Sequence, residues 1–337
     1  MQSLLDPAIL FFVFGVAAGL LKSNLEIPPA ISRFLSLYLL MALGLKGGFA
    51  LAHSGLTGEV ATTLAIAVSL AILVPLLGYV LLRRAVGSFD AAALAATYGS
   101  VSAVTFITAT QYLEIRGYGF GGHMAAAMAL MEAPAIVLAV LIANQLRQKA
   151  GVVVVENSVG VFSSAPSGGM SIGKVVHESL TDGAQLLLLG AMLIGLLTGE
   201  AGKAAMQPFS GDLFKGMLAF FLLDMGLNAA RQLPQLRGSS PWLLAYAVLA
   251  PIAHAGFTLL VCLLMGVQAG NATLLMVLAA SASYIAVPAA LRLAIPEARP
   301  ALYFGMSLGI TFPFNILLGI PLYTGIAHSV LSYGNLQ

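Results

Sequence analysis

Apolar runs of membrane-crossing length, separated by short polar punctuation, fill almost the whole chain. A helix needs about 17–25 mostly apolar residues to cross a bilayer. By that measure the pattern predicts ten spans, at approximately 6–22, 29–52, 60–82, 90–113, 120–145, 180–199, 211–231, 240–266, 270–293 and 299–332. The last is long enough to bend, and Pro313 and Pro321 supply the means. Between the fifth and sixth runs lies the one stretch of soluble character, which contains Ser163-Ser164-Ala165-Pro166-Ser167-Gly168-Gly169, a flexible composition. Val152 to Val155 before it has strand composition, but nothing nearby offers a sheet. The pattern therefore predicts an all-α membrane protein with a five-span repeat over 1–146, a linker over 147–179 and a second five-span repeat over 180–337.

The halves resemble each other locally. Asp6 to Leu21, ending Gly19-Leu20-Leu21, parallels Asp182 to Leu197, ending Gly195-Leu196-Leu197. Leu43-Gly44-Leu45 parallels Met225-Gly226-Leu227, and Glu132-Ala133-Pro134 matches Thr311-Phe312-Pro313. The polar string from Tyr98 to Thr105 in span four sits where span nine has Ser281 to Pro288. An odd number of spans per half sends the second copy into the membrane from the opposite side. That is an inverted repeat, an architecture common among secondary transporters.

Composition sharpens this picture. Of the 337 residues 59% are hydrophobic and 8% charged, against roughly 25% charged in a soluble domain. Loops after odd-numbered spans hold Lys22, Arg33, Arg83, Arg84, Arg147, Lys149, Lys174, Arg231, Arg237, Arg292 and Arg299; the other side holds Lys46, Arg116, Lys203 and Lys215. The positive-inside rule then puts the linker in the cytoplasm and both termini outside, in a bacterial inner membrane. The N-terminus lacks the basic region of a cleavable signal, so the first run is expected to stay as a span. A net charge of +2 spread over short loops leaves no nucleic-acid footprint. The single cysteine, Cys262, allows no intrachain disulfide.

Two polar interruptions carry the chemistry. Span four is broken around Gly99-Ser100-Val101-Ser102-Ala103-Val104-Thr105, and span nine around Ser281-Ala282-Ser283-Tyr284-Ile285-Ala286-Val287-Pro288. Proline removes a backbone donor and clashes one turn back, so the second helix should open. Groups freed in this way are tolerated only against protein, water or ligand. Helix N-termini meeting near the midplane favour an anion, while hydroxyls and freed carbonyls suit a sodium ion. Small residues also permit close helix packing, and that reading stands beside the functional one. Glu132, ionisable inside span five, is a candidate cation ligand or proton carrier. Thr311 and Asn315 are expected to complete a polar site on its side of the bundle. Asp224 is expected near an aqueous cavity or paired with Lys215 or Lys46, and His254 more readily satisfies a neighbouring backbone than a ligand. No zinc-protease motif, paired metal-ligand cysteines or nucleotide-binding glycine loop is present, so no enzyme and no ATP-driven pump is predicted.

Several strings resemble the sodium-dependent bicarbonate transporters of the SbtA family: Gly44-Leu45-Lys46-Gly47-Gly48, Gly99-Ser100-Val101-Ser102, Pro251-Ile252-Ala253-His254, Ala279-Ala280-Ser281-Ala282-Ser283, and Leu291-Arg292 to Pro296. The resemblance implies uptake of bicarbonate by sodium symport, a homotrimer, and control by a cytoplasmic PII-like partner. Apart from the coupling sodium it implies no cofactor. Carried over by position, Gly99, Ser102, Thr105, Ser281 and Ser283 fall within the family's binding segments, and Glu132 where the family has an acidic residue. The expected substrate set is Gly99, Ser100, Ser102, Ala103, Thr105, Ser281, Ser283, Tyr284 and Ala286. The expected cation set is Ser102, Thr105, Glu132, Ser283, Thr311 and Asn315. Cyanobacterial members carry an aspartate where this chain has Tyr284, which shifts the expected anion contacts toward backbone amides and serines. An organic carboxylate as cargo and a non-transporting receptor are the alternatives.

Overall fold

Helix is the only regular structure among the described residues of the computed structural model, which cover 6–55, 57–151, 177 and 182–334. In chain order the helices are α1 (Pro7–Leu20), α2 (Pro29–Ser54), α3 (Gly58–Leu82), α4 (Ser88–Gly99), α5 (Ala103–Ile115) and α6 (Met124–Gly151). Next come α7 (Gly183–Met206), α8 (Phe214–Gln232), α9 (Pro241–Met265), α10 (Ala269–Ala280) and α11 (Ala286–Ala294). The closing run consists of α12 (Pro300–Met306), a π-helical turn (Ser307–Thr311), α13 (Phe312–Phe314), a second π-helical turn (Asn315–Gly319) and α14 (Ile320–Gly334). The strand composition at 152–155 and most of the expected linker lie outside the described residues.

Seven described helical runs are long and apolar enough to cross a membrane, against the ten spans expected. One of the seven, Gly183–Leu236, contains the two spans expected at 180–199 and 211–231. A left-handed Gly199 (φ 53°) and a π-helical segment (Gln207–Asp212) bend it between them. Pro7–Leu20 and Ala269–Ala280 are apolar but shorter. The second of these covers the first half of the run expected as span nine.

Aspartates start matching helices. Asp6 caps α1 by accepting from the Ala8 N–H at 2.9 Å, with Pro7 at the first helical position. Asp182 caps α7 by accepting from Ala184 and Gln185 N–H groups at 2.9 and 3.3 Å. Each cap satisfies donors that a helix start leaves without partners.

Backbone proximity explains several glycines on these helices. α1 packs along α8, and α2 along α7. A Cβ at Gly226 would stand 2.2 Å from the Phe12 carbonyl oxygen, and one at Gly15 would stand 2.3 Å from that of Leu223. On the other pair, a Cβ at Gly48 would meet the Met192 carbonyl oxygen at 2.1 Å, and one at Gly195 that of Leu45 at 2.6 Å. No side chain fits there, so α1 packs backbone to backbone against α8, and α2 against α7.

The remaining helices form a second layer, in which α3 packs against α4 and α6, and α10 against α9 and α14. Its loop after α11 is clamped on both sides. Arg147 at the end of α6 donates two 2.7 Å bonds to the Glu297 carboxylate and one of 2.9 Å to the Ala294 carbonyl. Arg299 donates through its backbone N–H and Nε to Asp90 at 2.8 and 2.9 Å. Large apolar side chains face outward along α1 (Leu10, Phe11, Phe14), α7 (Leu193, Ile194, Leu197) and α9 (Leu260, Leu264). Water would penalise such a surface at about 25 cal/mol per Å²; a bilayer does not.

Candidate functional site

The two interruptions meet. α4 ends at Gly99, and Ser100 leaves the helix in extended conformation (φ −98°, ψ 178°). Ser102 (φ −106°, ψ 110°) then caps α5, its hydroxyl oxygen accepting from the Thr105 N–H at 3.2 Å and the Thr105 hydroxyl at 2.9 Å. In the other half α10 ends at Ala280 and Ser281 is extended (φ −80°, ψ 165°). The Ser283 hydroxyl accepts from the Val287 N–H at 3.3 Å as α11 begins. Pro288 occupies the first turn of α11, where a missing N–H leaves no intrahelical bond unmade.

Two hydrogen bonds join the breaks directly. The Ser102 N–H donates to the Ser281 hydroxyl oxygen at 2.9 Å, and the Ser283 N–H donates to the Thr97 carbonyl at 2.8 Å. Ser281 in turn donates to the Leu278 carbonyl at 2.8 Å. Each break therefore satisfies a backbone group that the other has freed, which makes two open helices tolerable side by side in apolar surroundings.

A cavity of about 370 Å³ lies beside this crossing. Among its lining residues are Ser102 and Ala103 at the α5 N-terminus, Ser283, Tyr284 and Ala286 at the α11 N-terminus, Glu132 of α6, and Asp182 and Gln185 of α7. Both helix N-termini at this cavity bring the positive end of a helix dipole and first-turn N–H groups, of which those of Thr105 and Val287 are taken by serine hydroxyls. Much of the remaining wall is apolar, with Leu40, Val101, Met128, Ile136 and Leu188. A second cavity continues from it, sharing Ser36 and Ile285 and adding Ser32, Arg33, Asp224, Asn228 and Arg231.

Of the expected residues, Ser102, Ala103, Glu132, Ser283, Tyr284 and Ala286 line the first cavity. Gly99, Ser100, Thr105, Ser281, Thr311 and Asn315 do not. Gly99 packs on Pro75, whose ring atoms leave no room for a Cβ, the nearest at 2.4 Å. The Ser100 hydroxyl donates to the Glu132 backbone carbonyl at 3.2 Å, Thr105 bonds Ser102 within its own break, and Ser281 ties the two breaks together. Thr311 and Asn315 do not complete a site with Glu132. Thr311 donates to the Ala247 carbonyl at 2.7 Å and lies 2.7 Å from the Tyr98 hydroxyl. The Asn315 amide donates to the Ala280 carbonyl at 2.8 Å, and its oxygen accepts from Tyr323 at 3.1 Å. Their polar atoms are consumed in stitching the last helical run to α9 and α10.

Glu132 has a partner that the sequence reading missed, since Gln185 donates to its Oε2 at 2.8 Å. The signal was present as Asp182-Gly183-Ala184-Gln185, the spacing of a helix-start capping box; here the glutamine side chain reaches Glu132 on a neighbouring helix. Tyr284 is 3% exposed, its ring edge-on to Phe312 at 5.0 Å. Its hydroxyl lies beside Ser102 and makes no well-formed hydrogen bond among the described residues.

The other ionisable groups fall as follows. Asp224 lines the second cavity and accepts from Ser32 at 2.5 Å and Asn228 at 3.1 Å, so neither Lys46 nor Lys215 is its partner. Lys46 pairs with Glu114 at 3.1 Å. The His254 Nδ1 lies 3.2 Å from the Ala279 carbonyl, the backbone role expected of it. No cluster of three or more His, Cys, Asp or Glu side chains able to hold a metal ion occurs among the described residues. A sodium ion here would depend on hydroxyl and backbone oxygens with charge from Glu132 and Asp182, the two carboxylates that line the cavity.

The sequence profile of the Na+-dependent bicarbonate transporter superfamily matches residues 7–328. No curated protein sequence matches the chain.

Proposed function

The chain belongs to the Na+-dependent bicarbonate transporter superfamily, and from that premise we propose that it imports bicarbonate with sodium by alternating access, the anion held where the interrupted helices cross. The observation that carries this reading is the pair of hydrogen bonds between the breaks, Ser102 to Ser281 and Ser283 to Thr97. They set two helix N-termini and two serine hydroxyls at one cavity. The N–H groups of α5 and α11 would hold the anion, and the Ser283 hydroxyl oxygen would hold the cation, with charge from Asp182 and Glu132 at the same cavity. The matched aspartate caps, the exchanged glycine contacts and the serine hydroxyls that accept from the first turns of α5 and α11 support an inverted repeat of ten spans, with α4–α5 and α10–α11 as the broken fourth and ninth. The same reading carries a homotrimer in a bacterial inner membrane. Its 147–179 segment lies on the cytoplasmic side, where a PII-like regulator would dock.

The test is uptake of labelled bicarbonate into proteoliposomes with and without an inward sodium gradient. Sodium-stimulated uptake above empty vesicles is expected; its absence would sink the sodium-bicarbonate assignment. A second reading keeps the fold and changes the cargo to an organic carboxylate. The cavity volume of about 370 Å³ and its apolar wall favour it, because bicarbonate fills only a small part of such a space. Uptake of a labelled monocarboxylate in the same vesicles, with none of bicarbonate, would select that reading.

A further inference from the structure

We infer that the cavity recognises the hydrogen-bond donor on its anion: it takes an oxyanion that carries its own O–H, such as bicarbonate or a 2-hydroxycarboxylate, over one that can only accept. This rests on the transport reading above and concerns what the same cavity selects. Two residues do the reading, Tyr284 and Glu132, and both line the cavity.

Tyr284 is the donor side. Its hydroxyl is buried without a well-formed protein partner, and a buried polar group in that position carries a desolvation cost until something accepts from it. Its neighbour Ser102 accepts twice from Thr105, and none of the described hydrogen bonds uses the Ser102 proton. The Tyr284 oxygen lies within reach of the Ser102 proton, which leaves the Tyr284 proton beside the α5 N-terminus with no protein acceptor among the described residues. Any oxyanion satisfies that proton equally, so this side gives affinity without discrimination.

Glu132 is the discriminating side. Gln185 occupies its Oε2, and Oε1 makes no hydrogen bond among the described residues. A carboxylate oxygen can only accept. An anion with an O–H places that proton between itself and Oε1, while an anion without one brings an unbridged oxygen against the carboxylate. Like charges in such surroundings repel strongly. Sites built to pair with a substrate O–H reject analogues that lack it.

Bicarbonate and nitrate make the cleanest comparison, since both are planar, trigonal and singly charged and differ by one O–H. Dissociation constants for each would be measured by calorimetry on the purified wild-type chain and on Tyr284→Phe and Glu132→Gln. Wild type is expected to prefer bicarbonate at least about tenfold. Glu132→Gln, whose amide can donate as well as accept, should bring the two within about threefold. Tyr284→Phe should weaken both by a similar factor and leave their ratio. Equal wild-type affinities, or an unchanged ratio in Glu132→Gln, would overturn the inference while leaving the transport reading intact. Binding of neither anion by wild type would remove both. The wild-type ratio decides the matter by itself where a variant does not fold.

Discussion

Replacing Ser281 with alanine strikes the crossing without touching the cavity wall. In the native chain its hydroxyl oxygen receives the Ser102 N–H at 2.9 Å, and both residues are buried. Alanine leaves that N–H without an acceptor. The Leu278 carbonyl, to which Ser281 donates, is unaffected in kind because it also accepts from the Ser281 backbone N–H at 3.2 Å. The loss is thus one orphaned buried donor, worth about 1–3 kcal/mol. Chemical unfolding in detergent, followed by the fluorescence of the single tryptophan, Trp242, would measure it. Because Ser102 both caps α5 and lines the cavity, bicarbonate uptake should fall at least about tenfold, the equivalent of the lower half of that range. Ser329→Ala serves as the control, since its hydroxyl bonds an exposed carbonyl of its own helix and should move stability by less than about 0.5 kcal/mol. A Ser281→Ala protein with wild-type unfolding and wild-type uptake would refute the claim that this bond organises the site.

Two further perturbations probe the frame around it. Gly226→Val places a Cβ 2.2 Å from the Phe12 carbonyl oxygen and should cost more than about 3 kcal/mol, read as loss of a monodisperse peak on size-exclusion. Gly256→Ala, at an exposed position with open space around it, should leave the peak intact, and equal behaviour of the two would contradict the backbone-to-backbone packing. Glu297 is held below the ordinary carboxylate range by its hydrogen bonds from Arg147. A depressed folded-state pKa contributes stability above the unfolded-state value, and that stability is lost as pH falls through the folded one. Glu297→Gln should therefore flatten the acid limb of a stability–pH profile, by no more than about 1 kcal/mol for so exposed a pair; an unchanged limb would mean that the clamp does not contribute.

The breaks were legible because proline, serine and glycine are costly in an apolar helix and the chain places them at matching points of its halves. The glycines aligned between the halves were legible for the same reason, and at Gly44, Gly195 and Gly226 the structure gives the cause as a carbonyl oxygen too close for a Cβ, while at Gly19 it is the Ala230 Cβ. Residue type did not reveal which polar atoms remain free. Thr311 and Asn315 look like cation ligands until Ala247, Ala280 and Tyr323 are seen to use their donors and acceptors. Gln185 was missed because its helix-start spacing suggests a local cap, whereas its amide reaches Glu132 across 53 residues of chain. The pairing of Lys46 with Glu114 spans 68 residues, and nothing in local sequence selects that partner over Asp224.

The account turns on the claim that the two interruptions form the substrate site and do not merely pack. Sodium-driven bicarbonate uptake by the wild-type chain and by Ser283→Leu, reconstituted in parallel, tests it most directly. Leucine removes the hydroxyl that accepts from the Val287 N–H at the start of α11 and fills the crossing with an apolar side chain. Uptake by wild type and none by a Ser283→Leu protein that still elutes as a single folded species is the predicted result; wild-type uptake by that variant would contradict the claim.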